Sequence, residues 1–145
     1  MRAIPDWTGP FDPEALPAEL LEATRPHVVR GGFAHWPVVG AAQQSDEALA
    51  RYLMGLYNGV QVGLFHLPPE ARGRVFYADE SLRGFNFSRH TATLDQVLLG
   101  LLGLAGHPQP PVLYVGSTTV EAVLPTFLDV NRMGLGGRDA LVSLW

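Results

Sequence analysis

Five histidines, His27, His35, His66, His90 and His107, are the first candidates for metal chemistry in this chain. A metal centre on a strand or helix needs spacings such as His-x-Asp, His-x-Glu or His-x-x-x-His, which aim two donors at one ion. None of the five sits in such a spacing. They are expected to be isolated structural or surface residues, and no metal ligand is assigned. Cysteine is absent, which removes thiolate ligands, a thiol nucleophile and a disulfide framework together. Ser117 follows an apolar run, but Tyr114-Val115-Gly116-Ser117-Thr118-Thr119 lacks the Gly-x-Ser-x-Gly of a nucleophile elbow. A turn at a strand end or a helix cap is the expected role. Gly134, Gly136 and Gly137 lack the strand-turn-helix setting of a dinucleotide fingerprint and read as loop residues.

Tyr114 stands apart. A phenol inside the apolar run Pro111-Val112-Leu113-Tyr114-Val115 must find a hydrogen-bond partner once buried. It is either a core tyrosine reaching a backbone carbonyl or a hydroxyl held for a ligand. Asn86 and Arg89 bracket an aromatic strand and face either a ligand or an exposed edge.

The elements that must position these residues follow from periodicity and punctuation. Residues 1–12 form an irregular arm, and the segment from Pro13 to Thr24 is predicted as a short helix with Leu16, Leu20 and Leu21 on its apolar side. His27 to Arg30 reads as a short strand stopped by Gly31-Gly32, and Phe33 to Val39 as an aromatic turn. Ser45 is a good N-cap, followed by Leu49, Tyr52, Leu53, Leu56 and Tyr57 at helical spacing. Val60 to Leu64 alternates as a strand, and Arg74 to Tyr77 and Phe85 to Arg89 are strand-like. Thr93 and Gln96 make a capping box before the stripe Leu94, Val97, Leu98, Leu101, Leu102. Pro111 to Val115 is a strand, and Thr118 to Asn131 reads as a helical turn broken at Pro125. Ala140 to Trp145 reads as a buried strand in which the chain stops. Such an edge invites pairing, so the sequence is expected to be the front part of a longer protein.

Composition narrows the function classes. With 47% hydrophobic and 17% charged residues the chain is globular, and its 145 residues suffice for one domain. All ten basic residues are Arg, net charge is −4 and no basic cluster occurs, so no nucleic-acid partner is expected. The apolar run Val97 to Gly106 is about half the length of a membrane span, and the N-terminus carries no apolar signal segment. A cytoplasmic protein without a membrane partner is expected.

The ordered series resembles the N-terminal half of the cupin-like JmjC oxygenases, which depend on iron(II) and 2-oxoglutarate. The matching pieces are Arg25-Pro26-His27-Val28-Val29-Arg30-Gly31 with His35-Trp36-Pro37, then Phe76-Tyr77-Ala78-Asp79 and Phe85-Asn86-Phe87-Ser88-Arg89. The Thr93 helix and Leu113-Tyr114-Val115-Gly116-Ser117 follow, and Leu141 to Trp145 is similar to the strand that leads into the catalytic motif. The resemblance implies an α+β fold: the N-terminal helical and strand portion of a cupin-like double-stranded β-helix, or jelly-roll, with its barrel incomplete. Residues 1–24 would be an arm and short helix, and 25–145 the N-terminal part of the cupin-like domain, ending within a strand.

In that family iron is held by His-x-Asp/Glu and a distant His, and the far carboxylate of 2-oxoglutarate meets a basic side chain and a hydroxyl. By this resemblance only Tyr114 falls on a functional position, as the hydroxyl toward 2-oxoglutarate. The iron triad and the basic partner are expected beyond Trp145. The chain alone is therefore expected to bind no cofactor and to be inactive, while its full-length parent would use Fe(II) and 2-oxoglutarate to hydroxylate a protein side chain or small molecule. Its partner would be the missing C-terminal half, or a second copy through the terminal strand. The alternative is a non-catalytic binding or self-assembly module derived from the same fold.

Overall fold

The structure, a computed structural model, describes residues 3–135 and 138–145. The arm is tied down by a parallel bridge between Asp6 and Val28, with Trp7 N–H donating to the Val28 carbonyl at 2.8 Å. This one bridge replaces the strand predicted over 27–30. The helix predicted from Pro13 to Thr24 shrinks to Ala18–Leu21 (α1), which starts behind Pro17 without a side-chain cap. The preceding backbone is engaged elsewhere: Gly134 N–H donates to Pro13 O at 2.7 Å, and Leu16 N–H to Gly134 O at 3.1 Å. A Cβ at position 134 would collide with the Glu14 carbonyl, so only glycine allows this approach.

Pro37–Gln44 forms a helix (α2) where the sequence predicts a turn. Proline suits the first helical position because its missing N–H would be unpaired there. The next amide, Val38 N–H, is capped from a distance by the Asn131 side chain at 3.2 Å. Ser45 ends α2 and starts α3 (Asp46–Leu56), its extended backbone breaking one helix from the other. Ser45 Oγ accepts from Ala48 N–H at 3.1 Å, as the sequence predicts.

The Glu47 carboxyl is held below its ordinary range, first by the Ser45 hydroxyl and then by a backbone N–H. A lowered carboxyl favours the folded state above its ordinary value and loses that contribution as pH falls through the folded one. Ser45→Ala removes the cap on Ala48 N–H, which should cost about 1 kcal/mol, and the loss should be smaller under acid. Chemical denaturation at pH 7 and pH 3 checks both the size and the trend.

Gly59, with φ +86°, turns the chain into β1 (Val62–Leu67), which starts two residues later than predicted and stops at Pro68-Pro69. Of the strand-like stretches predicted at Arg74 to Tyr77 and Phe85 to Arg89, the first is reduced to an antiparallel bridge between Tyr77 and Phe85, and the second shifts to β2 at Ser88–Ala92. The capping box of Thr93 and Gln96 opens α4 (Leu94–Leu104), and β3 is Val112–Val115. These strands form an antiparallel sheet in the order β2-β1-β3.

The chain then makes β4 (Thr118–Thr119), α5 (Val120–Val123) and, past Pro125, α6 (Phe127–Val130). β5 (Ser143–Leu144) pairs antiparallel with β4. The terminal run differs from expectation: only two of its residues join a ladder, and Leu141 and Trp145 are 78% and 71% exposed. The reason is local. β4 gives way to helix α5 at Val120, so no longer partner strand exists for 140–145.

One core joins these parts. Leu53 of α3 and Leu94 and Val97 of α4 cluster with Val62 and Val115 of the sheet and with Val120, Val123 and Leu124. The helices thus cover one sheet face, in a mixed helix-and-strand fold with small antiparallel sheets.

Candidate functional site

Strand register decides which residues share the other face. Phe65 lies opposite Arg89 on β2 and opposite Tyr114 on β3. Directly opposed residues project to the same side, and neighbours along a strand alternate. Val62, Leu64 and Val115 belong to the core side. Arg89, Phe65 and Tyr114 therefore form one row across the face that the helices leave open.

Aromatic rings extend this row in both directions. Phe65 and Tyr114 have centroids 5.6 Å apart, and Tyr114 and Trp145 6.2 Å. Toward β2, Phe65 meets Phe87 at 4.9 Å, Phe87 stacks on Phe85 at 4.9 Å, and Phe85 stacks on Tyr77 at 5.5 Å. The Arg89 guanidinium lies over this platform, 5.5, 5.1 and 5.7 Å from the centroids of Phe65, Phe85 and Phe87. Gly116 keeps the row open, since a Cβ there would come within 3.3 Å of the Phe65 ring. A groove of ≈ 200 Å³ opens instead at the β3 edge on the helix side, where Leu94, Val97, Leu98 and Leu101 of α4 meet Leu113, Tyr114 and Trp145.

The tyrosine hydroxyls divide into two kinds. Tyr52 Oη accepts from the Asn131 amide at 2.8 Å, and Tyr57 donates to the Val60 carbonyl at 2.5 Å. Tyr114 is half-buried, and its hydroxyl, like that of the exposed Tyr77, has no such partner among the described residues.

The other candidates separate clearly. Asn86 does not face a ligand: its Oδ1 accepts from Phe76 N–H at 3.0 Å and its Nδ2 donates to Arg74 O at 2.7 Å. It fixes the segment that carries Tyr77 against Phe85. Ser117 sits exposed in the turn between β3 and β4. Gly134 contacts the arm, while Gly136 and Gly137 lie outside the described residues.

The histidines are dispersed. The rings of His66 and His90 approach to 6.4 Å, with Ser88 Oγ 2.8 Å from His90 Nε2. His27 sits edge-on to Trp7, and His107 Nδ1 accepts from Gln109 N–H. Among the described residues no group of three or more His, Asp or Glu could hold a metal ion.

Phe65, Phe87 and Tyr77 were not legible as site residues. The period-two spacing Phe85, Phe87, Arg89 carries part of the signal, because such residues share a strand face.

Helices on one face of an antiparallel sheet, with a phenol, a guanidinium and a ring platform on the other, define a mixed helix-and-strand protein. The chain belongs to the cupin-like domain family, whose family model matches residues 13–145. No curated protein and no solved structure matches the chain. Among the described residues no helix is long and apolar enough to cross a membrane.

Proposed function

We propose that this chain forms the cosubstrate-facing side of an iron(II)- and 2-oxoglutarate-dependent oxygenase of the JmjC type, acting on a protein side chain or small molecule. The observation that carries the reading is Tyr114, whose hydroxyl has no protein partner among the described residues and whose ring lies on the open sheet face. A phenol there donates one directional hydrogen bond to a carboxylate. Phe65 and Trp145 lie beside the Tyr114 ring, with centroids 5.6 and 6.2 Å from it.

The residues do not fit the metal. Among those described, no cluster of His, Asp or Glu has the composition of an iron site. In this reading iron(II), which supplies O₂ activation in the JmjC oxygenases, is held by residues from outside this chain. Taken alone, the chain is catalytically silent.

Tyr114→Phe tests the assignment, because it removes the hydroxyl and keeps the ring. Calorimetric titration of the full-length parent with 2-oxoglutarate should show roughly tenfold weaker binding in the variant, with an unchanged thermal melt. Equal affinity in both proteins, or 2-oxoglutarate turnover by the isolated chain with iron, would refute the reading.

A second reading, a non-catalytic binding or self-assembly module of the same fold, draws on the exposed Leu141 and Trp145. Sedimentation velocity separates the two: a monomer at all concentrations rules out self-assembly through this end.

A further inference from the structure

We infer that His66 and His90 form a site for an exchangeable divalent transition-metal ion of the Zn(II) class, separate from the iron of the proposed function. Strand register brings the two together. His66 of β1 pairs with Ser88 of β2, and Leu64 with His90, so the histidines are diagonal neighbours on one sheet face. Their ring centroids lie 6.4 Å apart, with the planes at 77°. His90 and Ser88 are exposed and His66 is half-buried, so an ion reaches the pair from solvent.

Ser88 decides which nitrogen is offered. Its hydroxyl donates to the His66 carbonyl at 3.4 Å, and its Oγ lies 2.8 Å from His90 Nε2. With the hydroxyl proton committed to the carbonyl, Oγ accepts from Nε2–H, and the His90 Nδ1 lone pair remains for an ion. An imidazole that donates its other N–H to an oxygen is fixed in tautomer and made a better ligand. The same hydroxyl engages the backbone of His66 and not its ring, which keeps a nitrogen for the ion.

The donors set the ion class. A Zn–N bond of about 2.0–2.1 Å puts each ring centre roughly 3.2 Å from the ion, and two such centres roughly 5–6 Å apart. The pair stands at the wide end of that range, and side-chain rotation draws it in. Imidazole suits Zn(II), Cu(II) and Ni(II), whereas Mg(II) and Ca(II) require oxygen ligands. Two imidazoles with water completing the shell also differ from the two-histidine, one-carboxylate set of an oxygenase iron. An ion held by both residues staples β1 to β2.

Zinc chloride alone is the probe, titrated calorimetrically into the whole chain. It should bind saturably and raise the thermal melt, and magnesium chloride should give no heat. His66→Gln and His90→Gln should each weaken zinc about tenfold or more. His107→Gln, away from the pair, should leave zinc affinity unchanged. Ring-nitrogen NMR should show His90 coordinated through Nδ1 with Nε2 protonated; this measurement needs no substitution, so a misfolded variant does not remove the test. No saturable zinc binding, magnesium binding equal to zinc, His90 coordination through Nε2, or equal losses in His107→Gln and His66→Gln overturns the inference.

Discussion

Asn131→Leu is expected to lower the unfolding free energy by about 2–4 kcal/mol, although the number and branching of side-chain heavy atoms are unchanged. Asn131 is the fully buried polar residue of the core, at 0% exposure. Its Oδ1 accepts from Val38 N–H, and its Nδ2 donates to Tyr52 Oη at 2.8 Å and to Phe127 O at 2.9 Å. Leucine leaves the Val38 amide and the Tyr52 hydroxyl without partners. The Phe127 carbonyl keeps the Asn131 backbone N–H and suffers less. Helix α2 also loses its only side-chain cap, because Trp36 at its N-cap offers none.

Asn131→Asp sharpens the test. It keeps the acceptor for Val38, drops both donors and places a carboxylate in a fully buried site. Burial raises the folded pKa of such a group above its unfolded value. The variant should then recover stability as pH falls and lose it as pH rises. Urea unfolding followed by circular dichroism at pH 7 and pH 4 measures both effects. A cost below about 1 kcal/mol for leucine would mean that the three bonds are replaced by water.

Leu124→Ala carries the second large effect, about 3–4 kcal/mol. Leu124 is 1% exposed and belongs to the cluster that joins α3, α4, the sheet and α5. Removing its isobutyl group loses the transfer free energy and leaves a cavity that close-packed neighbours fill only in part. Leu99→Ala is the matched control. The same atoms are deleted from α4 at a position 57% exposed, and the expected change is within about 0.5 kcal/mol. Equal losses at the two sites would contradict the placement of the core.

What the sequence made legible was what short-range chemistry determines. The helices α3 and α4 carry their own caps, Ser45 and the Thr93–Gln96 box, beside apolar stripes of helical period. Helix α2 was not legible, because its cap arrives from Asn131, 93 residues along the chain from Val38. The helix predicted at 13–24 shrank because its first residues bond instead to Gly134, another distant partner. Tyr114 and Arg89 could each be singled out by type. Their alignment on either side of Phe65 depends on the pairing of three strands, which no local pattern specifies.

The ladder between β4 and β5 is only two residues long, whereas β1 is paired along both of its edges. Segments held by so few bonds detach at a small fraction of the global unfolding free energy. Ser143–Leu144 can therefore detach while the three-stranded sheet stays intact, taking the adjoining Trp145 indole from the Tyr114 ring. How often the phenol meets solvent is thus set by opening of this two-residue ladder, a quantity that core substitutions such as Leu124→Ala leave largely untouched.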